Sequence, residues 1–386
     1  MAEHPLESQP NAAASRSGVR WLGAFGKGLA WMLIVVWVAV TITFTLSRIV
    51  PADPARMVAG LEADPEAVAQ VRENLGLNDS LPVQYVNYLG DLARLDFGDS
   101  FQTQRPLLPD ILEALPASLE LIVVSFTMVT VIGIVMGIAW AYWPKGVHTL
   151  FLRLVAVSGS AIPVFWVGLI FQIVFGKQLG WLPVAGNFNH AAHGVSDVTG
   201  AGTVDTIIAL DPGAFANAVK VLILPVSTIV AHQLALTMAL MRSSLEEQLK
   251  KPYVRAARAR GVSEPRIVLV DAVRNALNPV VTMLGLQLGW SFGGIIIVEV
   301  IFSWPGVGLY SFNAFQAFDY NVIMAITILS TASFVLINAA VGVLYGVLDP
   351  RIKENASRLF SNPRSINRRS TPRVGPGLGH PGWRSG

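Results

Sequence analysis

Few residues of this chain have a type and spacing that could do chemistry. His190 and His193 stand three apart, a separation that lets two imidazoles share one helix face and bind a metal. Their flanks are Asn, Gly and Ser, and no third ligand stands out in the sequence, so a solvated loop with no metal is expected there. Glu299 closes an apolar run, where a carboxylate can line a gate or reach the interface and pair. His232 and Gln233 in one apolar run, and Gln287 in the next, are the sparse polar groups that could border a path through lipid. The densest charge is PYVRAARARGVSEPR, residues 252–266, with four arginines in fifteen residues between long apolar stretches.

Other chemistry has no residues to carry it. The nearest approach to a phosphate-binding loop is GAFGKGLA at 23–30, but Gly28 follows Lys27 where Ser or Thr is required, and the glycine spacing is wrong. Neither a Gly-x-Ser-x-Gly elbow nor a His-Glu-x-x-His pair occurs, so a membrane enzyme has no catalytic group to use. There is no cysteine, which excludes thiol catalysis and thiolate metal sites. Buried ionisable chains mark ion paths in pumps, and their scarcity weighs against an ion-coupled carrier. Such a carrier, or an ATP-independent channel, is the alternative of a different class. No nucleic-acid partner is expected.

The elements that must hold these residues are membrane helices. The chain is 53% hydrophobic and 14% charged, against about 25% charged in soluble domains. A bilayer core about 30 Å thick takes roughly 20 apolar residues in a helix. Six windows qualify without a Lys, Arg, Asp or Glu: Gly28–Ser47, Leu121–Trp143, Leu154–Gly176, Val221–Met241, Ala276–Val298 and Asn321–Leu348. The fold class is therefore an all-α integral membrane protein with six transmembrane helices. The first run is too long for a signal peptide and is read as a retained span. Pro163, Pro225, Pro279 and the Gly293-Gly294 pair mark kinks. Of the 28 Lys and Arg, only Arg48, Arg56, Arg72, Arg94, Arg105, Lys177 and Lys220 fall outside if the N-terminus is inside. By the positive-inside rule both termini are cytoplasmic.

The predicted organisation is a disordered cytoplasmic tail at 1–21, a first span within 22–48, an extracytoplasmic helical region at 49–117, a five-helix core at 118–349 with a cytoplasmic loop at 242–275, and a disordered basic tail at 350–386. In the outer region Asp64 can cap a helix that begins at Pro65 and ends at Gly76, and a second helix is expected from Pro82 to about Leu95. Residues 177–217 form a second outer loop without clear periodicity. The inner loop reads as helix–Gly–helix. Pro252 starts a two-turn helix over Tyr253–Arg260, Gly261 ends it, and Ser263 caps a new turn containing Glu264 and Pro265. Tyr253, Ala256, Ala257 and Arg260 share one side. This projection is too polar for lipid and too short for a domain, and it suits docking into a groove on a cytoplasmic partner.

YVRAARARG, followed by an apolar run, resembles the cytoplasmic signature loop of permease subunits in binding-protein-dependent ABC importers, closest to their dipeptide/oligopeptide/nickel branch. Residues 95–121 (LDFGDSFQTQRPLLPDILEALPASLEL), 162–186 (IPVFWVGLIFQIVFGKQLGWLPVAG), 273–277 (VRNAL), 298–308 (VEVIFSWPGVG) and 344–353 (LYGVLDPRIK) look like that branch and follow in its order. The likeness runs from about Gly28 to Lys353. One departure lies in the loop, where Arg255-Ala256-Ala257 takes the place of the wider family's Glu-Ala-Ala.

The resemblance implies a type I ABC importer permease fold in a bacterial cytoplasmic membrane. It implies transport of di- or oligopeptides, with nickel or another small solute as the alternative cargo. Expected partners are a second permease, two ATPase subunits, an extracytoplasmic solute-binding protein and membrane lipid. ATP and Mg would bind on the ATPase subunits, so this chain would hold no cofactor and no catalytic residue. The coupling residues would be Tyr253, Val254, Arg255, Ala256, Ala257, Arg258, Gly261, Ser263 and Glu264. Tyr253, Ala256 and Ala257 would form the contact surface and Gly261 the bend, while Arg255 and Arg258 would pair with acidic groups on the ATPase.

Overall fold

The computed structural model describes residues 12–49, 54–60 and 62–348. These contain α-helices and two π-helical turns, with no strand. Five helical segments are long and apolar enough to cross a membrane: Ala30–Arg48, Leu107–Tyr142, Pro212–Leu249, Glu264–Ser291 and Tyr320–Ala340. The protein is therefore a multi-pass, all-α membrane protein.

The first long helix, α1 (Ala12–Ile49), begins inside the stretch expected to be a disordered tail. The other expected tail, 350–386, lies outside the described residues. Residues 341–348 are helical. The helices α2 (Pro54–Ala59), α3 (Pro65–Asn74) and α4 (Leu81–Ala93) form the region after the first span that is expected to lie outside. Asp64 holds the N-cap position of α3, but its side chain makes no capping bond. Gly76 ends the helix as expected, in the left-handed region at φ 62°, with Leu77 N–H returning to Arg72 O at 3.0 Å. The region is fastened to the outer end of α1 by Phe44, whose ring packs on Tyr85 and Tyr88 at 5.2 and 5.6 Å, and by Thr41 Oγ1 against the Tyr85 hydroxyl at 2.6 Å.

The core helices are longer than their apolar windows. α5 (Leu107–Tyr142) has 36 residues and α10 (Pro212–Leu249) has 38, each spanning more than 50 Å at about 1.5 Å per residue. Both project well beyond the lipid core, because their polar ends keep helical bonding after the apolar run stops. They meet through Gly133 and Gly137 of α5. A Cβ at Gly133 would stand 2.7 Å from Thr237 Cγ2, and one at Gly137 would stand 2.6 Å from Met241 Cβ. This small-x-x-x-small contact brings the two backbones together where no hydrophobic force separates helix from lipid.

The third expected span is not straight. It divides into α6 (Val147–Ala161) and α7 (Val164–Phe171), the latter running on as a π-turn over Gln172–Gln178. The two arms bend by 113°. Pro163 accounts for the break. A residue before proline is pushed out of the α region, and Ile162 sits at φ −94°, ψ 128°.

The second outer loop is folded. It carries α8 (His190–His193) and α9 (Gly202–Ile208) around a small core of Phe188, Val195, Ala214 and Ala218. After α10 come α11 (Pro252–Ala259), α12 (Glu264–Arg266), a π-turn at Ile267–Ala272, and α13 (Val273–Phe302). The chain turns by 79° into α14 (Val307–Gln316) and finishes in α15 (Tyr320–Leu348). Two apolar clusters hold α10 and α13 together, one around Leu222, Leu224, Val298 and Phe302, the other around Met241, Leu245, Ala276 and Val280.

Candidate functional site

The loop after α10 folds into a compact elbow. Lys251 is extended at φ −70°, ψ 153°, and Pro252 then starts α11. Val254 and Ala257, one turn apart, are buried against Ile267 and Val262. Gly261 takes φ 78°, which an L side chain resists, and an added Cβ would otherwise meet nothing. That conformation lets Val262 N–H return to Ala257 O at 3.2 Å and sends the chain into α12. Ser263 stands at the N-cap of α12 in extended geometry, without a side-chain capping bond. Two bonds then close the elbow, from Arg258 Nε to Glu264 Oε1 at 2.5 Å and from Nη2 to Oε2 at 3.1 Å.

The expected contact face is therefore partly corrected. Tyr253, Arg255, Ala256 and Arg260 are exposed, but Ala257 points into the elbow, because the apolar stripe runs through Val254 and Ala257. Arg258 is engaged by Glu264 of its own chain. Arg255 makes no ion pair among the described residues. The outward surface is thus Tyr253, Arg255, Ala256 and Arg260, on a frame fixed by Val254, Ala257, Arg258, Gly261 and Glu264.

Glu299 reaches no surface of this chain. It is fully buried and caps α14. It accepts the Ser118 hydroxyl at 2.6 Å and the N–H groups of Gly308 and Leu309 at 2.7 and 3.0 Å. Ser118 Oγ in turn accepts Val307 N–H at 2.9 Å, and Trp304 Nε1 donates to Ala117 O at 2.9 Å. These bonds join α5, α13 and α14 at one corner of the bundle. A Cβ at Gly306 would lie 2.4 Å from both Glu299 oxygens, so the tight approach requires glycine.

The three intramembrane polar residues separate. Gln287 ties α13 to α10: its Oε1 accepts Thr237 Oγ1 at 3.0 Å, and its Nε2 lies 3.4 Å from Gln233 O. His232 and Gln233 border a cavity of about 110 Å³ with Ser125 and Ser291. The two loop histidines diverge. His190 Nε2 meets Asp205 Oδ2 at 3.0 Å, whereas His193 stacks on Phe188 at 4.8 Å and bonds Asn189 O. Ligand atoms of His190, Asp197 and Asp205 gather within 4.8 Å of one another, a trio invisible in the spacing of the sequence. Thr199 N–H and Oγ1 donate to the other Asp205 oxygen at 2.9 and 2.8 Å. Burial would raise the Asp205 carboxyl, but the bonds from Thr199 and His190 outweigh it and hold the group below the usual carboxylate range. The His190–Asp205 pair staples this loop, with Asp205 bonded by its own chain. Sequence reasoning also missed Glu120, a buried acid of α5 whose Oε1 accepts Thr203 N–H at 2.6 Å and so docks α9.

A bundle of apolar helices with folded loop regions and a basic elbow is the architecture of a multi-pass membrane protein. Residues 113–354 match the family described as binding-protein-dependent transport system inner membrane component, and residues 25–122 match the N-terminal region of such membrane components. The dipeptide transport system permease protein of Alkalihalophilus pseudofirmus is 38% identical over 323 residues, 83% of this chain and 97% of the relative. The di/tripeptide transport system permease protein of Pseudomonas aeruginosa is 36% identical over 83% of this chain and 96% of its own length. The glutathione transport system permease protein of Salmonella typhimurium is 34% identical over 85% of this chain and 97% of its own length. The chain belongs to the binding-protein-dependent transport system inner membrane component family, and it is a permease subunit of an ABC importer that works in a complex with other subunits.

Proposed function

We propose that this permease carries di- and oligopeptides across a bacterial cytoplasmic membrane, from outside to inside. The observation that carries the cargo class is the near full-length similarity to dipeptide and di/tripeptide permeases at 36–38% identity. The partners in this reading are a second permease, two ATPase subunits and an extracytoplasmic solute-binding protein. ATP and Mg bind on the ATPase subunits, and this chain performs no hydrolysis. Both termini face the cytoplasm, in keeping with the excess of Lys and Arg in the segments assigned inside.

The elbow couples nucleotide closure to the helices. The ATPase surface holds Tyr253, Arg255, Ala256 and Arg260. Closure moves α11, and Val254 and Ala257 pass the motion to Ile267 at the foot of α13. Coupling requires the ATPases to bind the two states of the permease unequally, since equal affinity shifts nothing. The test is to reconstitute the complex in proteoliposomes and follow labelled dipeptide. ATP-dependent accumulation supports the reading. Accumulation without ATP or without the ATPase subunits, or of nickel instead of peptide, contradicts it.

A further inference from the structure

The cavity between α5, α7, α10 and α13 has mostly apolar walls, including Ile122, Phe126 and Ile229. Ser125 is 1% exposed and borders it, and its hydroxyl has no hydrogen-bond partner in the protein. Nearby hydroxyls return to the carbonyl four residues back, as Thr127 does to Val123 at 2.7 Å and, in the cavity wall itself, Ser291 to Gln287 at 2.9 Å. Ser125 alone among the polar residues of the cavity is both buried and unpaired. Ser291 has spent its proton and offers lone pairs. His232 is exposed on this chain in the middle of an apolar span, and an imidazole turned toward lipid is disfavoured. A Cβ added at Gly294 would meet nothing within 4 Å, so the space in front of α13 is open there. His232, Gly294 and Ile297 are exposed and form the mouth. An apolar chamber with a few convergent polar groups is the general form of a small-molecule site.

We infer that this chamber is a side pocket of the translocation path that receives one peptide unit of the cargo in transit. Ser125 donates to a peptide carbonyl, Ser291 accepts a peptide N–H, and His232 meets the unit at the mouth. A cavity of about 110 Å³ admits a peptide group with a small side chain, or several waters, but not an indole. The chamber therefore favours Gly, Ala and Ser units over Trp. This inference rests on the peptide-importer reading.

The experiment compares labelled Ala-Ala with a Trp-containing dipeptide in proteoliposomes of the complete importer. Peptide moved per ATP hydrolysed is measured for wild type, Ser125→Ala, Ser125→Thr and Gly294→Leu. Loss of one hydrogen bond predicts a fall of about three- to tenfold for Ala-Ala in Ser125→Ala, with recovery in Ser125→Thr, which keeps the hydroxyl. Gly294→Leu fills the mouth and lowers Ala-Ala transport toward that of the Trp peptide. Should Gly294→Leu fail to fold, Ser125→Ala against Ser125→Thr decides. Wild-type ratios for both peptides in Ser125→Ala overturn the side pocket while leaving the importer intact. A wild-type complex that moves neither peptide overturns the peptide-importer reading on which the pocket rests.

Discussion

Arg258 and Glu264 face each other across Gly261 and form a two-pronged ion pair, with Arg258 Nε 2.5 Å from Glu264 Oε1. The pair joins the end of α11 to the start of α12, so the elbow behaves as one body. Both side chains are nearly half exposed, and an exposed pair adds at most about 1 kcal/mol. Its value lies in geometry. Arg258→Ala should lower ATP-driven uptake severalfold with little change in thermal stability. The charge swap Arg258→Glu with Glu264→Arg should restore much of the uptake. Transport and melting measured on the same purified complexes check both statements.

Gly261 holds the bend. Its φ of 78° cannot be reached by proline, which is fixed near −65°. Gly261→Pro should insert in the membrane normally and lose the coupling of transport to hydrolysis. Gly261→Ala should keep most activity at a cost of about 1 kcal/mol. Uptake per ATP hydrolysed, with membrane fraction as a control, distinguishes them.

Glu299 is a structural acid. Removing its carboxylate in Glu299→Ala leaves the buried Gly308 N–H and the half-buried Leu309 N–H without this partner, and a fully buried group so orphaned costs about 1–3 kcal/mol. The variant should melt well below wild type. Glu299→Gln retains one acceptor oxygen and should fall between them. Gly306→Ala, whose Cβ would press on the same carboxylate, should destabilise as well. Melting of the detergent-solubilised protein reads all three.

The helical membrane class and the positions of most spans were legible in the sequence because hydropathy alone determines them. The elbow was legible for a different reason: Pro252 and Gly261 are local backbone signals that act whatever the surroundings. Tertiary facts were not. Nothing in the spacing of Ala257 distinguishes a face that meets a partner from one that meets Ile267 of the same chain. Glu299 reads as a candidate gate until the chain turns at Ser303 and brings the start of α14 onto it. The His190–Asp205 staple joins residues fifteen apart through a loop with no periodicity. Gly133 and Gly137 had the small-x-x-x-small spacing in plain view, and only the approach of α10 gives that spacing meaning.

The same staple has a pH dependence. The Asp205 carboxyl is held below its ordinary range by Thr199 and His190. A depressed carboxylate contributes stability above its unfolded pKa of about 3.9, and that contribution is lost as pH falls through the lower, folded value. Residues 197–208 should therefore resist proteolysis at neutral pH and become susceptible below about pH 4. Asp205→Asn should be cleaved at neutral pH as well.

The central claim is that the elbow at 252–266 is seated on ATPase subunits at the cytoplasmic face. The chain has no cysteine, so Arg255→Cys supplies a single thiol on the exposed side of α11. Labelling with a membrane-impermeant maleimide in inside-out vesicles measures the claim directly. The account predicts fast labelling of the permease without ATPase subunits and strong protection once they are bound. Equal labelling in both preparations, or labelling only from the opposite face of the membrane, would contradict it.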